Sequence, residues 1–249
     1  MGLIHKDTFV CFDCETTGLE PENNSIIEIA LCRFTFDAIV ESYETLIDPL
    51  SPISESSMAI HHITDDMVKG KPTIQTILPD ILRFTKNSIL VGHGISLDVA
   101  FVEAAAKKHA IPCTLTQRPQ IDTLRLARLY GESPVNSLER LRQHFNIKEE
   151  GAHRAMNDVV VNIEVFKYLA NKFKTTEELF ERLKKPIALK TMPLGKHKGR
   201  PFAEIPQEYL LWAVNKDFDQ DLLFSIRKEL KRRKQGNLFS QVANPFSSL

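Results

Sequence analysis

Three strand-forming runs follow one another in the first 47 residues, at 8–14 (TFVCFDC), 25–34 (SIIEIALCRF) and 39–47 (IVESYETLI). Thr16-Thr17-Gly18 ends the first run, and Phe36-Asp37-Ala38 turns the chain between the second and third. The connections are too short for crossover helices, so the chain opens as antiparallel strands. A short apolar run at 89–92 (ILVG) reads as a buried strand. Helical spacing surrounds it. Ile77, Ile81 and Leu82 are in phase over 73–84, and Ser96 stands as a cap for an alanine-rich helix over 96–109. Further helices are expected at 122–129 and 137–145. A long one over 155–173 puts Val159, Ile163, Phe166, Leu169 and Ala170 on one stripe. Strands, helices, a strand and more helices predict an α/β fold with a mixed β-sheet flanked by helices.

A change of character follows. A helix over 176–185 is stopped by Pro186, and residues 192–202 (MPLGKHKGRPF) are basic, loop-like and rich in Gly and Pro. Short helices are expected at 209–214 and 222–230. The reading divides the chain into a main domain (1–175), a linker helix (176–189), a small, mainly helical module (190–234) and a flexible tail (235–249). Lys/Arg and Asp/Glu number 32 each, so overall charge points to no polyanion. Their placement is uneven: residues 186–249 hold 11 Lys/Arg against 6 Asp/Glu, and 1–185 hold 21 against 26. An acidic front and a basic back suit metal ligands in one part and phosphate contacts in the other, although scattered surface charge gives the same balance.

No apolar run approaches membrane-spanning length, and MGLIHKDTF lacks the basic leader and apolar stretch of a signal peptide. A cytoplasmic protein with no membrane partner is expected. Four cysteines without framework spacing fit a reducing compartment. Cys11 and Cys14, three apart on one strand, point to opposite faces and are not expected to share a metal or a disulfide.

The chemistry is carried by acids. Asp13 and Glu15 stand two apart at the end of the first run, hence on one face. Like charges held that close need a cation, or one must take up a proton; an ordinary exposed strand end is the alternative. Asp98 follows the 89–92 strand and falls in the first turn of a helix, where the helix dipole alone favours an acid. His153 stands in a loop and Asp158 in the first turns of the 155–173 helix, a pattern equally open to a capping acid beside a surface imidazole.

In combination, D-x-E-T-T-G at 13–18, G-H-x-x-x-x-D at 92–98 and H-x-A-x-x-D at 153–158 resemble the DnaQ-like family of 3′→5′ exonucleases, in its branch with four acidic ligands and a histidine. The resemblance covers about residues 6–172 and implies a ribonuclease H-like fold. It implies Asp13, Glu15, Asp98 and Asp158 as ligands of two Mg²⁺ or Mn²⁺ ions, and His153 as general base. Carboxylate oxygens suit such ions. An imidazole with a pKa of about 6.5 can take a proton from water near neutral pH. Gly94 and Leu97 stand where many relatives have Asn and Phe, neither a ligand position. A-I-H-H-I-T at 59–64 resembles the family's H-G-I-T segment, with His61 on its histidine and His62 in place of its glycine. By that likeness Thr16, Leu19 and His61 meet the terminal nucleotide; a packed surface residue is the other reading of His61. His5, His109 and His144 read as surface residues.

Residues 190–232, with L-G-K-H-K-G-R-P at 194–201, resemble the small C-terminal module of exodeoxyribonuclease X-like proteins. Lys196, Lys198 and Arg200 there suit phosphates. Tyr209 and the only tryptophan, Trp212, can stack on unpaired bases, but Trp212 is expected in the core of the small domain. The basic run 228–234 (KELKRRK) reads as a solvated helix face or a phosphate contact. Gln235, Leu238 and Phe239, in Q-G-N-L-F, resemble the peptide by which bacterial replication factors dock on the sliding clamp.

These readings predict an exonuclease acting on DNA 3′ ends in repair or replication proofreading, with a sliding clamp or polymerase as partner. The same acids serve an exoribonuclease or oligoribonuclease on RNA ends, because hydrolysis does not require the 2′-hydroxyl. A non-catalytic nucleic-acid or clamp adaptor would have no use for them.

Overall fold

The early runs form β1 (Phe9–Thr16), β2 (Ile26–Phe34) and β3 (Ile39–Leu46) in the computed structural model, which describes residues 3–130, 135–148 and 154–242, the side chains of 236–242 excepted. There follow α1 (Glu55–His61), α2 (Asp65–Val68), α3 (Ile74–Phe84), β4 (Ile89–Gly92), α4 (Ser96–Lys108), β5 (Gln120–Asp122), α5 (Thr123–Tyr130), α6 (Leu138–His144), α7 (Ala155–Ala170) and α8 (Thr176–Leu183). The strand order is β3-β2-β1-β4-β5. The first three strands pair antiparallel; β4 joins β1, and β5 joins β4, in parallel. The sheet is mixed and flanked by helices, as the sequence pattern predicts and as a ribonuclease H-like fold requires.

Alternation along β1 divides the core. Val10 and Phe12, with Ile29 and Leu31 of β2, pack on Ile77, Ile81, Val99 and Val102 from α3 and α4. The odd positions face α7. Phe166 of that helix meets Phe9 edge-on at 4.9 Å and Phe34 at 5.7 Å, and Cys11 Sγ lies 3.8 Å from the Val159 carbonyl. Helix α7 is apolar on most of its circumference because β1 and β2 cover one side and α5 and α6 the other.

The sequence reading missed three short pieces. Helix α1 is seven residues behind Ser54, whose Oγ accepts from Ser57 N–H at 3.2 Å, and α2 is four residues. Strand β5 has three residues, too few for periodicity to register, with Ile121 fully buried. Asp122, read as the start of a helix, ends this strand. Ile95, not Ser96, is the N-cap position of α4.

The chain divides into two compact units, Met1–Arg182 and Leu183–Leu249. Helix α8, expected as a linker, packs in the first: Leu179 is fully buried, and the Thr176 hydroxyl donates to the Asp7 carboxylate. The second unit has single 3₁₀ turns at Gly195–His197 and Phe202–Glu204, then α9 (Gln207–Ala213) and α10 (Gln220–Val242). Met192, Phe202, Ile205, Leu210, Leu222 and Ile226 form its core. Buried Asp221 accepts from Ile187 N–H at 2.9 Å, and Arg233 donates to the carbonyls of Phe202, Ala203 and Ile205.

One expectation fails in this unit. Trp212 is 50% exposed and is not part of the core; the small hydrophobic centre is filled by aliphatic residues and Phe202. Helix α10 runs to Val242. Straight-chain residues favour the helix there, and Glu229 pairs with both Arg232 and Arg233 one turn on. Gly236 costs about 1 kcal/mol and does not stop it. No helix among the described residues is long and apolar enough to cross a membrane.

The packing of α7 yields a measurable expectation. Phe166→Ala should lower stability to urea by about 3–5 kcal/mol. Val160→Ala, on the exposed side of the same helix, should change it by less than about 0.5 kcal/mol. Equal effects would show that the assigned face is wrong.

Candidate active site

The face of β1 that begins with Phe9 and Cys11 continues into Asp13 and Glu15, beyond the reach of the aromatic cluster. Helix α7 lies over that face and brings Asp158 in its first turn. Carboxylate oxygens of Asp13, Glu15 and Asp158 lie within 4.8 Å of one another. Asp98 approaches along the strand backbone. Its Oδ1 accepts from Cys14 N–H, the amide between the two acids of β1, at 3.1 Å.

Two glycines shape the turn that delivers Asp98. A Cβ on Gly92 would fall 2.8 Å from that of Ile95. Gly94 has φ +78° where the strand turns into α4, and its N–H donates to Asp122 Oδ1 at 2.9 Å. Asparagine is the other residue that tolerates this conformation, so Gly94 in place of Asn keeps the turn. The converse holds at His62, which caps α1 at φ 58° where the resembling motif has glycine. The left-handed conformation costs a side-chain-bearing residue about 1–2 kcal/mol.

The acids repel one another, and burial adds to it. Burial pushes the Asp13 carboxyl well up, with Asp98, Asp158 and Glu15 acting in the same direction. Burial, then Asp158 and Glu28, raise Glu15 to about 7. Burial also raises Asp98 to about 7, against the Cys14 hydrogen bond, which favours the charged form. Such a cluster needs protons or a cation. An all-carboxylate donor set suits Mg²⁺ or Mn²⁺, so the residues present fit a divalent ion.

Glu28 is the residue that the sequence reading passed over. It faces Glu15 across the β1–β2 ladder and is 0% exposed. Arg154 grips it with Nε at 2.9 and 3.1 Å and Nη2 at 2.5 Å, and the Ala155 N–H donates to Oε2 at 3.0 Å. This clamp holds the first turn of α7, closed by Asp158 N–H on the Arg154 carbonyl at 3.1 Å. A lone acid inside the apolar run SIIEIALCRF was the available signal, since a buried charge requires a partner.

The other expected contacts are dispersed. Thr16 Oγ1 donates to the Gly18 carbonyl at 2.6 Å, and Leu19 is 78% exposed. His61 is buried, not at the surface. Its Nδ1 accepts from Ile63 N–H at 3.0 Å, which places the proton on Nε2, facing the Thr16 backbone. Burial lowers its pKa. Lys196, Lys198 and Arg200 are exposed in the second unit, and Gln235 is exposed on α10. His153 and the side chains of Leu238 and Phe239 lie outside the described residues.

Two outcomes follow from these charges. Acids whose pKa is raised on folding stabilise the fold below their unfolded values, and that contribution is lost as pH rises toward 7. The metal-free cluster should therefore favour the fold more at pH 6 than at pH 8. Added Mn²⁺ should raise the melting temperature more at pH 8, where protons do not compete; equal increments would remove the cluster as a cation site. Arg154→Ala leaves Glu28 buried without its guanidinium and should cost on the order of 2–4 kcal/mol in urea unfolding, allowing for the partial exposure of Arg154.

A family model described as Exonuclease (RNase_T) matches residues 10–166. A model named for a quorum-sensing-regulated virulence factor matches 181–230. The chain is 35% identical over 196 residues to the DNA polymerase III PolC-type of Clostridium perfringens, covering 76% of this chain and 13% of that one. It is 37% identical over 159 residues to that of Caldanaerobacter subterraneus subsp. tengcongensis, covering 64% and 11%. The chain thus spans a small fraction of the length of these curated relatives. The solved structure of Exonuclease X in complex with 5′ overhanging duplex DNA matches with a TM-score of 0.56 at 26% identity, over 71% of this chain and 99% of that one. Exonuclease I (apo) matches in fold, with a TM-score of 0.61 at 20% identity, over 72% and 44%. Because the family match takes in the sheet and every acid gathered at the end of β1, the chain belongs to the exonuclease family.

Proposed function

We propose that this protein is a metal-dependent 3′→5′ exonuclease that removes nucleoside 5′-monophosphates one at a time from DNA ends, in repair or replication proofreading. The observation that carries the reading is the convergence of Asp13, Glu15 and Asp158, with Asp98 seated on the amide between the first two. Family membership makes a purely adaptor role unnecessary. DNA is favoured over RNA because the relatives are named as DNA polymerases and Exonuclease X was solved with duplex DNA.

The four acids would hold two Mg²⁺ or Mn²⁺ ions. When bound, the ions lower the pKa of water and neutralise charge on the phosphate and the departing 3′ oxygen. His153, next to Arg154 in sequence, takes the proton of the attacking water, the role an imidazole can fill near neutral pH. The Glu28–Arg154 clamp fixes the chain immediately after it. Leu19, exposed just past β1, is an apolar wedge for the terminal nucleotide, with the Thr16 backbone as a polar contact and His61, buried behind it, as its support. Lys196, Lys198 and Arg200 meet backbone phosphates. Gln235, Leu238 and Phe239 are the proposed clamp contact, supported by the likeness of their spacing alone.

Digestion of matched, end-labelled DNA and RNA strands with Mg²⁺ should release 5′-monophosphates from the 3′ end of DNA. Shortening from the 5′ end would refute the polarity, and a preference for RNA would refute the sugar. Asp13→Ala should abolish hydrolysis with the far-ultraviolet circular dichroism unchanged; retained activity would remove Asp13 from the site.

A further inference from the structure

The second unit presents an aromatic surface ringed by cations. Trp212 lies 5.2 Å from Tyr209, one turn back on α9, with the rings inclined at 40°. Lys216 Nζ stands 5.1 Å from the centre of the Trp212 ring, and Lys196 Nζ 5.1 Å from that of Tyr209. His197, buried, meets Tyr209 edge-on at 4.5 Å and holds its far side. The Tyr209 hydroxyl lies 3.0 Å from where a Cβ on Gly195 would stand, so the loop backbone packs against it. Tyr209 is therefore held in place by the loop and His197, while the indole of Trp212 beside it remains half in solvent. Half-exposing the one tryptophan in a unit with so small a core forfeits burial that the fold needs.

We infer that Trp212 and Tyr209, with Lys196 and Lys216, form a stacking platform for unpaired nucleobases on a phosphodiester strand, separate from the acids of the first unit. Exposed aromatic faces accept bases of any sequence, and flanking ammonium groups meet the phosphates between them. Charge complementarity favours this occupant over an apolar partner: the two cations already lie over the rings, and Leu183–Leu249 holds 13 Lys/Arg against 6 Asp/Glu. The choice of a strand as ligand rests on the exonuclease reading, but the platform residues belong to the second unit and the acids to the first. A strand held at both units would stay near the active site between cleavages.

The single tryptophan makes the test direct. The full chain, metal-free in EDTA so that nothing is cut, is titrated with oligo(dT), oligo(rU) and a blunt duplex. Trp212 fluorescence should fall and saturate with both single strands, because neither stacking nor phosphate contact reads the 2′-hydroxyl. Trp212→Leu should weaken oligo(dT) binding, read by anisotropy, at least about fivefold. Lys196→Gln with Lys216→Gln should reduce the slope of log affinity against log salt by about 1.4; this pair decides the matter if the tryptophan variant does not fold. Unchanged fluorescence while the strand binds, or equal quenching by the duplex, would overturn the platform. Cleavage in Mg²⁺ is read in parallel. Cleavage with a silent Trp212 sinks the platform alone, and quenching without any cleavage sinks the exonuclease reading alone.

Discussion

The seating of α7 on one face of β1 is the constraint on which the rest of the first unit depends. The same row of alternate side chains serves as core at Phe9 and Cys11 and as chemistry at Asp13 and Glu15. Phe166 fixes how far along the strand the helix sits, and the register of the helix then carries Asp158 to within 4.8 Å of the other acids. A single slip of β1 would exchange Asp13 and Glu15 for Phe12 and Cys14 on that face. Packing and the geometry of the acidic cluster therefore cannot be varied independently here.

Such a face works against stability at its acidic end. Burial and mutual repulsion hold the Asp13, Glu15 and Asp98 carboxyls above their ordinary range. The fold resists with directed hydrogen bonds: the Cys14 amide holds Asp98, and the Glu28–Arg154 pair ties the start of α7 to β2. Glu28 adds another buried charge beside Glu15, which is tolerable only because the guanidinium and the Ala155 amide take up its oxygens. Buried like charge is concentrated where a divalent cation would relieve it, as expected of a functional site.

The second unit follows a different logic. Its core is aliphatic and small, and its ordering relies on polar ties such as Arg233 on three carbonyls and Asp221 on the Ile187 amide. That leaves its largest aromatic half outside, with Lys216 over its ring.

Much of this was legible in the amino-acid order. Alternation and helical spacing are local properties, so the strands, the long helices and the shared face of Asp13 and Glu15 could be read directly; the order of the three acidic motifs carried the family. Pieces of three to seven residues, such as β5 and α1, gave too few positions for a period to emerge. What the tertiary structure alone decided is which distant residues meet. Glu28 finds Arg154 across 126 positions, Asp98 finds the Cys14 amide across 84, and Trp212 is left outside a core that aliphatic side chains fill first. Periodicity records how a segment presents its side chains; partners are set by sheet order and helix register, which no single segment contains.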